Sequence, residues 1–126
     1  MSDHPNAARY RALSAAMRDG DMSQMVDVIA DDVEWWEIGS SEPISGKAAL
    51  MARMESLAAG GDISGDLHDV VANDDHMVAL ITATATRGDE SLEYRVAEIY
   101  HVNADGQLTH RWAFSDDTER IAAFFS

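Results

Sequence analysis

The pair Gly60-Gly61 divides the chain into two halves with different hydrophobic rhythms. Before it, apolar residues recur at three- and four-residue spacing. After it, they gather into runs of β-branched and aromatic residues separated by turn formers. A period near 3.6 builds helices and a period of two builds strands. Helices followed by an antiparallel sheet give an α+β chain whose helices cover one face of the sheet.

In the first half, Tyr10, Leu13 and Met17 share a helical face. Asp3 or Asn6 is the expected cap, with Pro5 in the first turn and Gly20 as the stop. Asp21 with Gln24 three residues on has the form of a capping box. It opens a short second helix carrying Met22, Met25, Val26 and Ile29. Residues 33–38 read as a strand. Ser45 is the expected cap of a third helix with Leu50, Met54 and Leu57 as its stripe. In the second half, residues 67–72, 76–86, 92–102 and 108–114 read as an antiparallel meander. Its joints, Asn73-Asp74-Asp75, Arg87-Gly88-Asp89 and Asn103-Ala104-Asp105-Gly106, carry turn chemistry. Asp117 or Thr118 caps a closing helical turn that ends at Phe124-Phe125. With no repeat, linker or low-complexity segment, residues 1–126 are expected to form one domain.

Charge and residue types exclude several functions. Asp plus Glu number 23 against 9 Lys plus Arg, a formal charge of -14. That balance repels phosphate backbones and anionic bilayers, so neither nucleic acid nor membrane is an expected partner. There is no cysteine, which removes disulfides, thiolate catalysis and cysteine-ligated zinc. His4, His68, His76, His101 and His110 lack metal-ligand spacing, so no metal and no cofactor are expected. No apolar run is long enough to span a bilayer, and M-S-D-H-P-N-A-A-R-Y-R lacks a leader's pattern. A cytoplasmic setting is the expectation. Phosphate-cradling glycine loops, nucleophile elbows and a Ser-His-Asp order are also missing.

Two glutamates stand in unexpected company. In E-W-W-E-I-G-S-S-E-P, strand alternation puts Val33, Trp35 and Glu37 on one face. If that face points inward, Trp35, Leu13, Met17 and Met54 dry Glu37 and raise its pKa, making it a base near neutrality. Otherwise Glu37 points to water at the sheet edge. Glu98 lies among Val96, Ala97, Ile99 and Tyr100. A four-residue loop at 103–106 pairs Glu98 with Arg111, the expected arrangement. A three-residue loop pairs it with Trp112 and leaves it free to act as a neutral donor. His68 is a lesser candidate for the pocket, more simply an ordinary sheet histidine. Asp116-Asp117 reads as the cap of the last helix, with an acid/base at the pocket mouth as the smaller reading. Ser115, just after the last strand, joins the ligand-contact candidates.

The segment I-A-D-D-V-E-W-W-E-I-G-S-S-E-P-I-S-G-K-A-A-L is similar to the region around the catalytic base of bacterial ketosteroid isomerases, an aspartate followed by a Gly-Ser-Glu-Pro turn and a helix. V-A-N-D resembles that family's turn into the next strand. A-E-I-Y-H-V-N-A-D-G-Q-L resembles the strand carrying its second catalytic carboxyl. The order of elements resembles the NTF2-like superfamily, which includes these isomerases and SnoaL-like proteins. The resemblance implies a cone-shaped curved antiparallel sheet packed against three N-terminal helices, around a pocket for a small hydrophobic molecule (steroid, polyketide or terpenoid-like). It places Glu37 as the base shuttling a proton beside a carbonyl, with Glu98 or Tyr10 polarising the oxygen. A non-catalytic binder with the same pocket is the alternative. The chain departs from the isomerases in having Leu13 where their first helix carries tyrosine, with Tyr10 one turn earlier, and in using glutamate at both carboxyl positions. Limonene-epoxide hydrolases share the fold but need an arginine where this chain has Val96. His110, Trp112 and Phe114 alternate to the face opposite Arg111, and that outer face is expected to be covered by a second copy in a homodimer.

Overall fold

The two-residue rhythm of the second half does produce strands, and the computed structural model, which describes residues 4–19 and 23–125, shows what they pack against. Helices α1 (Pro5–Arg18) and α2 (Ser23–Val28) lead into strand β1 (Ile29–Trp35) and the short β2 (Ile44–Ser45). Helix α3 (Lys47–Gly60) then gives way to β3 (Asp62–Ala72), β4 (His76–Arg87), β5 (Glu90–Val102) and β6 (Leu108–Ser115), and α4 (Thr118–Phe125) closes the described chain. The strands form one curved sheet in the order β2-β1-β6-β5-β4-β3. The meander from β3 to β6 is antiparallel throughout, whereas β1 runs parallel to β6. The architecture is α+β, and the described residues form four helices, three of them ahead of the meander.

Several boundaries differ from the sequence reading, each for a local reason. His4 caps α1, its Nδ1 accepting from the Asn6 N–H at 3.1 Å. Asn6 instead donates through Nδ2 to the Asn73 and Asp74 carbonyls at 3.1 and 3.4 Å, which ties α1 to the β3–β4 turn. That turn is held by Asn73 Oδ1, which accepts from the Asp75 and His76 N–H groups. Asp3, Gly20, Asp21 and Met22 lie outside the described residues. Ile29 leaves α2 and opens β1 because Leu108 of β6 offers it a ladder partner. At the other end β1 stops at Trp35. Ser45 pairs with Glu34 in β2, so Gly46 (φ 93°) is the residue at the start of α3, without a side-chain cap. The third strand begins at Asp62 rather than 67, since β4 pairs with all of it. As a sheet edge it has little need of apolar side chains along its first half.

The core lies between the inner sheet face and the helices. Ile29, Val33 and Leu50 are its most buried large side chains. Ala7, Tyr10 and Leu13 of α1 pack there with Met77, Ala79 and Tyr100. The two glycines at the helix–strand joint have unequal duties. A Cβ on Gly61 would run into the Thr86 carbonyl oxygen, while one on Gly60 meets nothing within 4 Å. We therefore expect Gly61→Ala to lose ~2 kcal/mol or more in urea unfolding. Gly60→Ala, at the last residue of α3, should be neutral or gain about 0.5 kcal/mol. Equal effects of the two changes would show that the joint is not sterically fixed.

Candidate functional site

Alternation along β5 turns Tyr94, Val96, Glu98 and Tyr100 toward the helices, and these four line one wall of a cavity of about 350 Å³. That is room for a small organic molecule. Tyr10, Leu13 and Met17 of α1 face them, as do Trp35 from the end of β1 and Met54 from α3. Arg111 of β6 completes the polar end.

A carboxylate buried to 8 % exposure needs every lone pair answered. Tyr10 donates its hydroxyl to Glu98 Oε1 at 2.6 Å. Arg111 donates Nε and Nη2 to Oε2 at 3.1 and 2.6 Å. Arg111 also sends Nη1 to the Trp36 carbonyl at 2.9 Å, and its guanidinium lies 4.7 Å over the Trp35 ring. Tyr100 stands between, its ring 5.5 Å from Tyr10 and 6.0 Å from Trp35. Burial pulls the Arg111 pKa down, but Glu98, Tyr100 and Tyr10 together outweigh it and leave it raised. Tyr10 is pushed far above the ordinary 10.0, first by burial and then by Tyr100 and Glu98. Tyr100 is raised too, by burial first and Glu98 second, with Arg111 opposing.

The Glu98–Arg111 pair forms diagonally, through neither of the two registers considered from the sequence. Glu98 pairs across the ladder with Ala113, and Arg111 with Tyr100. The cause is a five-residue connection, in which Asn103 Oδ1 accepts from the Asp105 and Gln107 N–H groups, followed by a register shift before His101. Trp112 then falls on the outer face, stacked 5.6 Å from His110 and 5.1 Å from Trp36.

Glu37 is not on the cavity wall. Because β1 ends at Trp35 and the Trp36 N–H bonds to the Arg111 carbonyl, Glu37 does not continue the inner face that Trp35 occupies. Its carboxylate accepts from Arg53 Nε through both oxygens, at 3.2 and 3.0 Å, and its side chain is 34 % exposed. His68 is exposed, 2.6 Å from Thr82 Oγ1, and does not line the cavity either. Ser115 ends β6 and donates to Asp116 Oδ1 at 3.2 Å, away from the wall. Asp117 rather than Asp116 caps α4, accepting from the Arg120 N–H. Tyr94 and Tyr100 were missed as site residues, although stepping by two from Glu98 reaches both. Among the described residues, no group of three or more His, Asp or Glu is placed to hold a metal ion.

All three tyrosines have raised pKa values, which fixes a sign. Above pH about 10 the unfolded phenols ionise and the folded ones do not, so stability is intact below that pH and lost above it. The slope is roughly 1.4 kcal/mol per pH unit for each tyrosine. Urea unfolding of Tyr10→Phe should lose part of that alkaline slope, up to roughly 1.4 kcal/mol per pH unit. An unchanged slope would mean that Tyr10 ionises freely in the folded protein.

The comparisons with known proteins agree with an NTF2-like fold. The sequence profile described as SnoaL-like domain matches residues 10–111. Among curated proteins no sequence relative matches. Among solved structures, a protein of unknown function with a cystatin-like fold from Xanthomonas campestris is similar at TM-score 0.85 and 18 % identity, covering 98 % of this chain and 99 % of its own. An LEH-like epoxide hydrolase of M. tuberculosis superposes at TM-score 0.78 with 16 % identity, covering 95 % of this chain and 89 % of its own. IdmH, a putative polyketide cyclase from Streptomyces antibioticus, superposes at 0.74 with 18 % identity, covering 98 % and 100 %. At such identities the likeness concerns the fold.

Proposed function

The chain belongs to the SnoaL-like domain family, and on that footing we propose that it binds a small apolar molecule, of steroid, polyketide or terpenoid type, inside the curved sheet. The observation that carries this reading is a cavity of about 350 Å³ whose one buried ion pair is answered from within the protein. Glu98 is occupied by Tyr10 and Arg111 and neutralised by the latter, so the ligand meets a mostly apolar wall. Arg111 uses three N–H groups on Glu98 and Trp36, out of the five a guanidinium offers. The others are available to one ligand oxygen, which favours a neutral ketone or alcohol.

A second reading, proton transfer beside a carbonyl, is favoured by the same two donors. In it the two remaining N–H groups of Arg111 would meet the ligand oxygen as it gains negative charge, Tyr10 having given its one hydroxyl hydrogen to Glu98. In that reading Glu37 serves as base only after leaving Arg53. Simple binding requires no such movement, and it is the reading we prefer.

Thermal shift with progesterone, an anthracycline-type polyketide and camphor tests the proposal. At least one should raise the melting temperature of the wild type. Leu13→Trp, which fills the cavity, should abolish the shift while circular dichroism stays native. Glu37→Gln should retain it. A wild type indifferent to all three, or a shift that survives Leu13→Trp, would sink the idea.

A second copy of the chain is the proposed occupant of the outer sheet face. Three rows cross β4, β5 and β6 there: His76-His101-His110, Val78-Ile99-Trp112 and Leu80-Ala97-Phe114. None of these positions is acidic, in a chain with 23 Asp and Glu among 126 residues. Leu80 and Phe114 are 48 % and 55 % exposed, and neighbouring Val71 59 %. A basic partner would find no countercharge on those rows, whereas an identical apolar face is self-complementary. Sedimentation at micromolar concentration should give a dimer, and Phe114→Asp a monomer. A wild-type monomer would overturn this assignment.

A further inference from the structure

One wall residue has no role in the polar cluster. Tyr94 lies on the inner face of β5, four residues before Glu98, so strand rise separates their Cα atoms by roughly 13 Å. Its ring is braced edge-on by Phe125 of α4, with centroids 6.3 Å apart. Among the described residues its hydroxyl has no hydrogen-bond partner, and the side chain lines the cavity. Its pKa is raised by burial first, with Arg111 lowering and Glu98 raising it, so the phenol lies within electrostatic reach of the far cluster across the cavity.

Away from these two polar ends the wall is mostly apolar, with Ser14, Ser64 and the exposed Arg18 its other polar members. Ala83, Val96 and Ala113 form a small buried cluster of their own, with Ile38, Ile81 and Tyr94 packed around it. Ala83 beside Tyr94 and Ala113 beside Glu98 keep the floor low next to both polar ends. Among the described residues the charged pair at the far end, Glu98 and Arg111, cancels itself.

We infer that the cavity selects a rigid, flat molecule with an oxygen at each end, and that Tyr94 is the specificity-determining residue that reads the end distant from Arg111. The inference rests on the ligand-binding reading and adds the ligand's shape and second polar group. Rigidity follows from the two fixed anchors, since a flexible chain would lose more freedom in spanning them.

The probes are androstanedione, with a carbonyl at each end, and its two monoketone analogues, each measured by titration calorimetry. Wild type should bind the dione on the order of 10-fold more tightly than the better monoketone, the worth of one hydrogen bond. In Tyr94→Phe the dione should fall to within about 2-fold of the monoketones, whose own affinities should hold. Phenylalanine keeps the ring against Phe125, and the melting temperature checks that the fold is intact. Comparing the dione with whichever monoketone binds better makes the result independent of the direction in which a steroid enters. Equal wild-type affinity for dione and monoketones would overturn the role of Tyr94 and leave ligand binding standing. A Tyr94→Phe change that weakens all three steroids alike would also overturn it, since the ring would then matter only for packing. Failure of every steroid to bind would count against the binding reading itself, and this inference with it.

Discussion

A carboxylate and a guanidinium share the interior of this domain, and the placement of the surrounding elements follows from satisfying both. Breaking such a pair by removing one partner typically costs about 3–5 kcal/mol, far more than the pair itself contributes over an apolar substitute. Glu98 and Arg111 therefore constrain the fold more than they stabilise it. Glu98 requires Tyr10, which fixes the rotation of α1. Arg111 requires the Trp36 carbonyl and the face of Trp35, which fixes where β1 ends. One ion pair thus reaches a helix and three strands.

The same pair explains why a cavity can exist beside it. An open pocket in a small domain loses packing on its walls, and a lone buried charge there would draw in water. Here the charges are mutually cancelled and hydrogen-bonded, so the remaining surface is apolar and shaped mainly by Leu13, Met17, Met54, Ile81 and the small Ala83. Methionine suits such a wall because its unbranched side chain can follow ligands of differing outline.

How much of this was legible in the sequence depended on whether the deciding contact was local. Strand alternation found β4, β5 and β6 and set Arg111 on the face opposite His110, Trp112 and Phe114, while helical spacing put Tyr10 and Leu13 on one face of α1; Glu98, Arg111, Trp35, Tyr10 and Leu13 all line the cavity. Alternation failed at Glu37, because it holds only while a strand lasts, and β1 is stopped by a hydrogen bond from across the sheet. The opening of β1 at Ile29 has the same origin, in its distant partner Leu108. The polar start of β3 carries no inward pattern, since an edge strand can pair through its backbone alone. The diagonal seating of Glu98 on Arg111 depends on a register shift next to a loop held by one asparagine, a detail that residue counting does not capture. Tyr94 and Tyr100 were within reach of the same alternation. Tyrosine is so common on strands that its presence alone did not separate cavity from core.

The parallel pairing of β1 with β6 has a consequence for the order in which the molecule assembles. Ile29 must wait for Leu108 and Trp35 for Arg111, while the β3–β4–β5 meander closes through near neighbours in sequence. Contacts between distant residues form late, because loop closure is paid before they reward it. During synthesis, β1 and α1 are complete long before the strand that completes the sheet between them and the meander. Until then Glu98 has no counterion and remains hydrated, and the apolar half of the cavity is an open trough. The arrival of β6 neutralises the carboxylate, anchors the end of β1 and walls off the cavity in a single step. The enclosed cavity is then a marker of completed folding, absent from every shorter intermediate.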